Sequence, residues 1–304
     1  MWFKNLLIYR LDPNFSVSAT ELEEKLAARS LQPCGSFDMQ SRGWVHSSPA
    51  QRYVHTSHGQ HLIALGIEQK LLPASIIRQV ATERAKELEQ QQGYPVGRRQ
   101  MRELKERVTE ELRARALTRR TTTRAWIDPK NFWFIVDAAG GARADAVTET
   151  LRDTLGSLPV QLLDVERSPQ TSMASWMMLG DAPLRFVIDQ DLELQAVDQS
   201  KASIRYARHT LDGKEIKAYL SAGMYVSRLG LTWNDRISFV LTEKLQVKRV
   251  EFVGISNSKS DEQSALPPEE QFDIDFALMC GELSKLLSDL VEALGGETAR
   301  AAAA

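Results

Sequence analysis

The chain is poor in cysteine: only Cys34 and Cys280 occur in 304 residues, far apart. Neither a disulfide framework nor a cysteine-rich zinc site can be built from that pair, so buried thiols are expected. Long apolar runs are also missing. No uninterrupted stretch approaches the roughly 18 to 20 residues of a membrane span. The opening Met1-Trp-Phe-Lys-Asn-Leu-Leu-Ile-Tyr-Arg10 has neither the apolar core nor the small-residue cleavage site of a secretion signal. A cytoplasmic protein without a membrane partner is expected. Glycine (17) and proline (11) are too sparse for a low-complexity chain, and 43% hydrophobic with 26% charged residues is the balance of a folded globular protein. Catalytic signatures are absent as well. Without a Walker A loop, a Gly-x-Gly-x-x-Gly or a Gly-x-Ser-x-Gly, the ATP-driven, dinucleotide-dependent and serine-hydrolase classes have no support, and no cofactor is expected.

What the chain does have is charge sorted by segment beneath a net charge of -2. Residues 98–124 carry ten Arg or Lys (Arg98, Arg99, Arg102, Lys105, Arg107, Arg113, Arg115, Arg119, Arg120 and Arg124) against four Glu. Residues 201–250 carry another ten, including Lys201, Arg205, Arg208, Lys214 and Lys217, against four acids. Residues 261–300 reverse the sign, with ten acids against Lys285 and Arg300. A surface polarised in this way suits a protein that binds a polyanion on one face. Residues 113–124, with five Arg, four Thr and no acid, are the strongest local signal. Guanidinium groups bind phosphate oxygens bidentately, Thr hydroxyls add neutral donors, and no acid within local reach neutralises the Arg residues beyond Leu112. For residues 98–112, a solvated helix face with Glu103, Glu106, Glu110 and Glu111 paired at i,i+4 explains part of the charge. No helix-turn-helix, zinc-finger or RNP signature accompanies either basic segment, and aromatics are sparse there. Contact with the phosphate backbone of duplex DNA is therefore favoured over base readout or single-strand stacking.

Periodicity predicts an α+β protein with mixed or antiparallel sheets. Residues 2–10 read as a strand, and Ser18-Ala-Thr-Glu21 is a capping box for a short helix carrying Leu22 and Leu26. Short strands follow near 43–46, 52–56 and 61–67. Two antiparallel helices joined by Gly93-Tyr-Pro-Val-Gly97 form a protruding hairpin, with Ile76, Ile77, Val80 and Leu88 on one and Met101, Leu104, Val108, Leu112 and Ala116 on the other. A β-hairpin over 121–137 and a helix over 143–155 return the chain to its first sheet. The second half is expected to have its own sheet, from strands near 184–188, 192–197, 203–209, 224–233, 236–242 and 247–255. Residues 256–268 read as a loop before a long amphipathic helix with Phe272, Phe276, Met279, Leu283, Leu286, Leu287, Leu290 and Leu294, stopped at Gly295-Gly296. The expected domains are 1–75 plus 121–166, an inserted helical hairpin over 73–120, and 167–304.

Four of the five histidines, His46, His55, His58 and His61, fall within sixteen residues and are the best metal candidates. Their spacing matches no zinc pattern and no acid lies between Asp38 and Glu68, so turn and strand-end histidines are the preferred reading. Glu23-Glu24-Lys25 contains a Glu-x-Lys of the type nucleases use, here on an amphipathic helix with ordinary i,i+4 charge. No metal site and no catalytic residue are assigned. A metal-dependent DNA-processing enzyme, and a protein-interaction module working through the acidic C-terminal helix, stand as alternatives.

Several stretches, in order and spacing, resemble the RdgC family of bacterial recombination-associated proteins. They are Met1-Trp-Phe-Lys-Asn-Leu6, Pro33-Cys-Gly-Ser36, Gly43-Trp-Val45, Trp126-Ile-Asp128, Leu155-Gly-Ser-Leu-Pro-Val160, Phe272-Asp-Ile-Asp-Phe-Ala-Leu-Met279, Gly281-Glu-Leu283 and Leu294-Gly-Gly-Glu297. The resemblance implies a nucleoid-associated homodimer that closes into a ring, holds double-stranded DNA in a basic central hole and restrains the RecA recombinase. It places Arg115 to Arg120 near a subunit contact and the ring lining, with Leu117 where other members can carry an aromatic. It places Arg208 and His209 at the other subunit contact or the hole, and gives the acidic and apolar residues of the C-terminal helix a structural role.

Overall fold

The structure is a computed structural model that describes residues 2–198, 202–211, 213–254 and 266–298. The first half contains β1 (Asn5–Leu11), α1 (Ala19–Ala28), β2 (Gln40–Val45), β3 (His55–Ser57), β4 (Gln60–Lys70), α2 (Ala74–Gln92), α3 (Arg98–Arg115), β5 (Thr118–Asp128), β6 (Trp133–Asp137), α4 (Gly141–Leu155) and β7 (Val160–Leu162). The second contains α5 (Pro169–Leu179), β8 (Phe186–Ala196), β9 (Ser203–Tyr206), α6 (Gly213–Ser221), β10 (Met224–Trp233), β11 (Ile237–Thr242), β12 (Val247–Phe252) and α7 (Pro268–Ala293).

The fold is α+β, and all the strands among the described residues belong to one twelve-stranded antiparallel sheet. Its order is β2-β4-β5-β6-β1-β12-β11-β10-β8-β9, with β3 beside β4 and β7 beside β1. The expected separate sheet of the second half is thus replaced by a continuation of the first. The joint is β1: Leu6 to Arg10 pair with Asp137 to Trp133 of β6, whereas Asn5 and Leu6 also pair with Lys248 and Val247 of β12. A seven-residue strand can serve both neighbours because each pairs along a different edge. The strands expected at 184–188 and 192–197 are one strand, β8, whose register against β10 shifts near Leu229/Leu231. Helix α6 occupies a stretch in which no helix was specified from periodicity. Most of the expected 256–268 loop and the C-terminal Ala run lie outside the described residues.

Alternation along β1 divides the core. Leu6 and Ile8 face a cluster that includes Met173 and Trp176 of α5, Ile216 of α6 and the apolar stripe of α7, while Leu7, Tyr9 and Leu11 face a second cluster built with Leu22 and Leu26 of α1 and Val147 and Leu151 of α4. Ser18 caps α1 by accepting the Glu21 N–H at 3.1 Å, as the capping box predicts. In α7, Phe276, Met279, Leu283, Leu286, Leu287 and Leu290 are buried, as the spacing predicts, with Leu294 buried just past its end, while Phe272 at the start of the predicted stripe is half-buried. Burying each such side chain contributes about 1.5 to 3 kcal/mol. Gly295 and Gly296 end the helix run at φ 90° and 98°, a region glycine enters without steric cost. One face of the second half's sheet is therefore covered by α5, α6 and α7, and the opposite face carries charged side chains.

The helical hairpin leaves and rejoins the sheet between neighbouring strands. Lys70 pairs with Thr118, and the Leu71 N–H donates to the Leu117 carbonyl at 2.8 Å. Only Ala81, Ala85 and Val108 are buried in α2 and α3; of the predicted stripes Val108 alone is buried, Ile76 is exposed and the others are half-buried, so the two helices meet along a thin seam centred on small alanines. The two helices project their remaining surface into solvent.

Candidate nucleic-acid interface

The α3 helix presents the cations of residues 98–112 on its outer surface. Arg99 and Arg102 pair with Glu103 and Glu106 at 3.2 and 3.1 Å, as the i,i+4 reading predicts, yet their side chains are 94% and 83% exposed. Pairs this exposed contribute little and exchange readily for another anion. Arg98, Lys105 and Arg107 are exposed and, among the described residues, make no ion pair. Arg107, counted among the cations of the segment but not among the residues expected to bind DNA, belongs with the candidate phosphate ligands. Arg84 of α2 takes Glu111 at 2.6 Å and ties the two helices together.

The five-Arg segment does not act as one patch. Arg113 turns inward: its Nη1 donates to the Phe37 carbonyl at 3.2 Å and its Nε is buried without a partner. Arg115 ends α3 and is exposed. Beyond it the chain is a strand, so the consecutive Arg119 and Arg120 point to opposite faces. Arg120 is neutralised by Glu68, its neighbour across the ladder from β4. No acid lies within local reach of the segment, as the sequence indicates; this one lies 52 positions earlier and only strand pairing brings it across. Glu68 also accepts the Cys34 N–H at 3.1 Å. The Arg120 guanidinium, then this N–H, hold its carboxyl below the usual glutamate range. Arg119 and Arg124 remain exposed, and Arg124 lies near Asp137, which accepts the N–H groups of Asn5 and Lys4 at 2.9 and 3.1 Å. Burial pushes the Asp137 carboxyl up despite these donors.

The same junction gathers exposed apolar side chains. The Lys70 N–H donates to the Met39 carbonyl at 2.9 Å, which, with the Leu71 to Leu117 and Arg113 to Phe37 links, draws Phe37, Met39, Leu71 and Leu117 to the base of the hairpin. Phe37 is 86% and Leu117 78% exposed.

The second basic segment divides between the two faces of the sheet. Lys214 and Lys217 are exposed on α6, whose Ile216 enters the first core. Arg205 lies on β9, opposite Glu193, on the uncovered face. Arg208 takes a positive φ of 52° and donates its N–H to Asp191 at 3.2 Å; His209 beside it bonds the Thr210 carbonyl through Nδ1 at 2.8 Å. Lys201 lies outside the described residues. Charge counting could not separate these positions, because it assigns no face.

The histidines serve separately. His61 is buried with Nδ1 3.0 Å from the Thr56 hydroxyl, and burial lowers its pKa. His55 sits edge-on to Phe272 and Phe276, its Nε2 3.3 Å from Asp273; burial lowers its pKa, with Asp273 opposing. His58 bonds the Ser57 hydroxyl in a turn, and His46 packs against Tyr53. Among the described residues no three of His, Cys, Asp or Glu come together as a metal-binding group. Glu23, the nuclease-like acid, is occupied by the N–H groups of Tyr53 and Val54 at 3.1 and 2.7 Å. The acids of α7 likewise dock the helix. Asp289 accepts the Trp233 Nε1–H at 2.8 Å, and Glu282 pairs with Arg236 at 3.3 Å and, within α7 itself, with Lys285 at 3.5 Å. Cys280 is a buried thiol whose pKa burial raises strongly. Among the described residues no helix is long and apolar enough to cross a membrane.

A family model described as "Putative exonuclease, RdgC" matches residues 1–297. The chain belongs to the RdgC family. It is 48% identical to the recombination-associated protein RdgC of Dechloromonas aromatica over 304 residues, covering 99% of this chain and all of that one. It is 46% identical to that of a Janthinobacterium species over 297 residues, 98% of this chain and 99% of the relative. It is 45% identical to that of Herminiimonas arsenicoxydans over 300 residues, 99% and 100% of the two chains. Six of the eight RdgC-like stretches quoted above reach into helices or strands, while Pro33–Ser36 lies in the loop between α1 and β2 and Leu294–Glu297 follows α7. Trp44 and Trp126 fill the core, Gly43 admits the Leu31 backbone, and Phe276 and Met279 seat α7.

Proposed function

We propose that this RdgC-family protein is a non-enzymatic binder of double-stranded DNA, indifferent to sequence, that works as a homodimeric ring and restrains RecA in the nucleoid of the cytoplasm. The observation that carries this reading is the outer surface of α3. Arg98 and Lys105 lie along one flank of α3 beside the loosely paired Arg102, Arg107 lies about half a turn round on the other flank, and none of Arg98, Lys105 and Arg107 has a carboxylate partner among the described residues. Exposed cations on both flanks of the projecting helix offer point charges to phosphates and displace counterions, and they have no device for reading bases. Self-association is assigned to the apolar group at the hairpin base, with Leu117 and Phe37 at its centre and Arg115 on its rim; burying such groups against a second copy removes apolar area from water. Arg208 and His209, at the far end of the sheet order, are proposed for the second contact that closes the ring. A ring around a duplex would block the path of a recombinase filament.

The test is binding to linear duplex, nicked circular duplex and single strands across a salt series without divalent metal. Salt-sensitive, sequence-indifferent duplex binding, more salt-resistant on circles, is the expected result. The exonuclease wording of the family description makes DNA degradation the second reading, and nucleotide release from a labelled duplex on adding Mg²⁺ or Mn²⁺ would establish it instead. Binding that ignores the hairpin cations and needs a protein partner would point to an interaction module.

A further inference from the structure

The uncovered face of the second half's sheet holds a hollow of about 180 Å³ where β1, β8, β9, β10, β11 and β12 meet, and its lining includes Arg205, Arg228, Lys248, Arg249, Asp191 and Glu193. Two irregularities in the sheet concentrate these cations. Between β11 and β12, Ser238 pairs with Glu251 but Val240 pairs with Lys248, so β12 carries one extra residue. At that place Arg249 takes a left-handed φ of 53°. An unbroken strand would send Val247 and Val250 to opposite faces; the bulge buries both in the core and turns the consecutive Lys248 and Arg249 away from it. In β10 a similar shift at Ser227 sets Arg228 opposite Glu193, which pairs on its other side with Arg205 of β9.

The charges do not cancel. Glu193 pairs with Arg228 at 3.5 Å and Asp191 with Arg249 at 3.2 Å, whereas Lys248 and Arg205 have no carboxylate partner among the described residues. Lys248 is half-buried, and its ammonium is held below the usual lysine range by burial, then by the cations of Arg228 and Lys244. A left-handed arginine is a conformation a strand keeps only where the surrounding structure enforces it. Here it gathers like charges around a recess, where a bound anion would relieve their repulsion.

We propose that this recess is a phosphate-binding site, separate from the hairpin, in which Lys248 and Arg228 contact the phosphate oxygens and Arg205 and Arg249 close the rim. The phosphate can belong to a small phosphate ester or to a DNA backbone, and the site goes beyond the duplex reading because it needs no duplex.

The full chain is titrated in phosphate-free buffer with inorganic phosphate, with a 5′-mononucleotide and with a short duplex, as wild type and as Lys248→Ala, Arg228→Gln and Lys248→Arg. A hairpin variant, Arg98→Ala/Lys105→Ala/Arg107→Ala, is the control. The expected result is inorganic phosphate binding weakened at least tenfold by Lys248→Ala and by Arg228→Gln, and kept by Lys248→Arg and the hairpin variant. Arg228→Gln carries the test if Lys248→Ala lowers the melting temperature. Loss confined to inorganic phosphate and the mononucleotide assigns the site to a small ester, and a parallel loss of duplex affinity assigns it to the backbone. Wild-type protein that binds duplex but neither small probe, with duplex affinity unchanged in the pocket variants, overturns the pocket and leaves the hairpin reading standing. Loss of duplex binding in the hairpin control alone bears only on the hairpin.

Discussion

Two substitutions that look alike in the sequence differ in their expected effect on DNA binding. Arg98→Ala/Lys105→Ala/Arg107→Ala removes three exposed cations that have no carboxylate partner among the described residues, whereas Arg120→Ala removes a cation already neutralised by Glu68. Counterion release gives a slope of log affinity against log salt of about -0.9 per phosphate contact, so losing three contacts per protomer flattens the slope by about 2.7 if one protomer's hairpin meets the duplex and by about 5.4 if both hairpins of the homodimer do. Over the rise from about 50 to about 200 mM salt, the wild type should then lose at least about 40-fold more affinity than the triple variant loses. The assay is fluorescence anisotropy of a labelled duplex at five or more salt concentrations. Arg120→Ala should leave the slope unchanged and act on stability instead. The Glu68 carboxyl is held low by Arg120, so the pair stabilises the fold above the ordinary glutamate pKa, and that stability is lost as pH falls through and below it. The variant should therefore melt lower at neutral pH and converge with wild type in acid. A slope as flat in Arg120→Ala as in the triple variant would refute the division of the arginines by partner.

Three further outcomes follow from particular contacts. A Cβ at Gly43 would lie 2.5 Å from the Leu31 Cα and 2.7 Å from the Ser30 carbonyl carbon. Backbone cannot give way as a side chain can, so Gly43→Ala should cost about 3 kcal/mol, read from urea unfolding, and a loss under about 1 kcal/mol would mean that the β2 packing yields. His55 and His61 are both held neutral by burial, so the unfolded chain takes up more protons than the fold, and stability should fall as pH drops below the ordinary histidine value of about 6.5. Each contributes at most about 1.4 kcal/mol per pH unit, and His61→Gln should flatten that limb in thermal melts between about pH 6.5 and 5. If Leu117 and its apolar neighbours join two copies, Leu117→Asp, at a residue exposed in the protomer, should weaken self-association in sedimentation velocity at least tenfold without lowering the melting temperature.

Local features of this fold were legible without coordinates because they depend on neighbours in sequence. The Ser18 cap, the helical hairpin with its Gly93 turn, the apolar stripe of α7 and its glycine stop all follow from spacing along one element. So did the outward charge of α3, since i,i+4 pairing and helical periodicity are short-range. The family, too, was readable from ordered stretches of sequence.

Pairing and facing were decided only by tertiary structure. That β1 joins both halves in one sheet rests on Asn5 and Leu6 meeting residues near 247, and no local pattern specifies a partner so distant. Strand register brings Glu68 to Arg120 and turns a cluster of five arginines into one inward contact, one ion pair and three exposed charges. A single extra residue in β12 turns the consecutive Lys248 and Arg249 to the same face and makes a cationic recess from what composition records as ordinary basic strands. Composition determined how much charge this chain carries and on which segments. Sheet pairing decided which of those charges are already satisfied, because a carboxylate neutralises only the cation that the fold brings within reach.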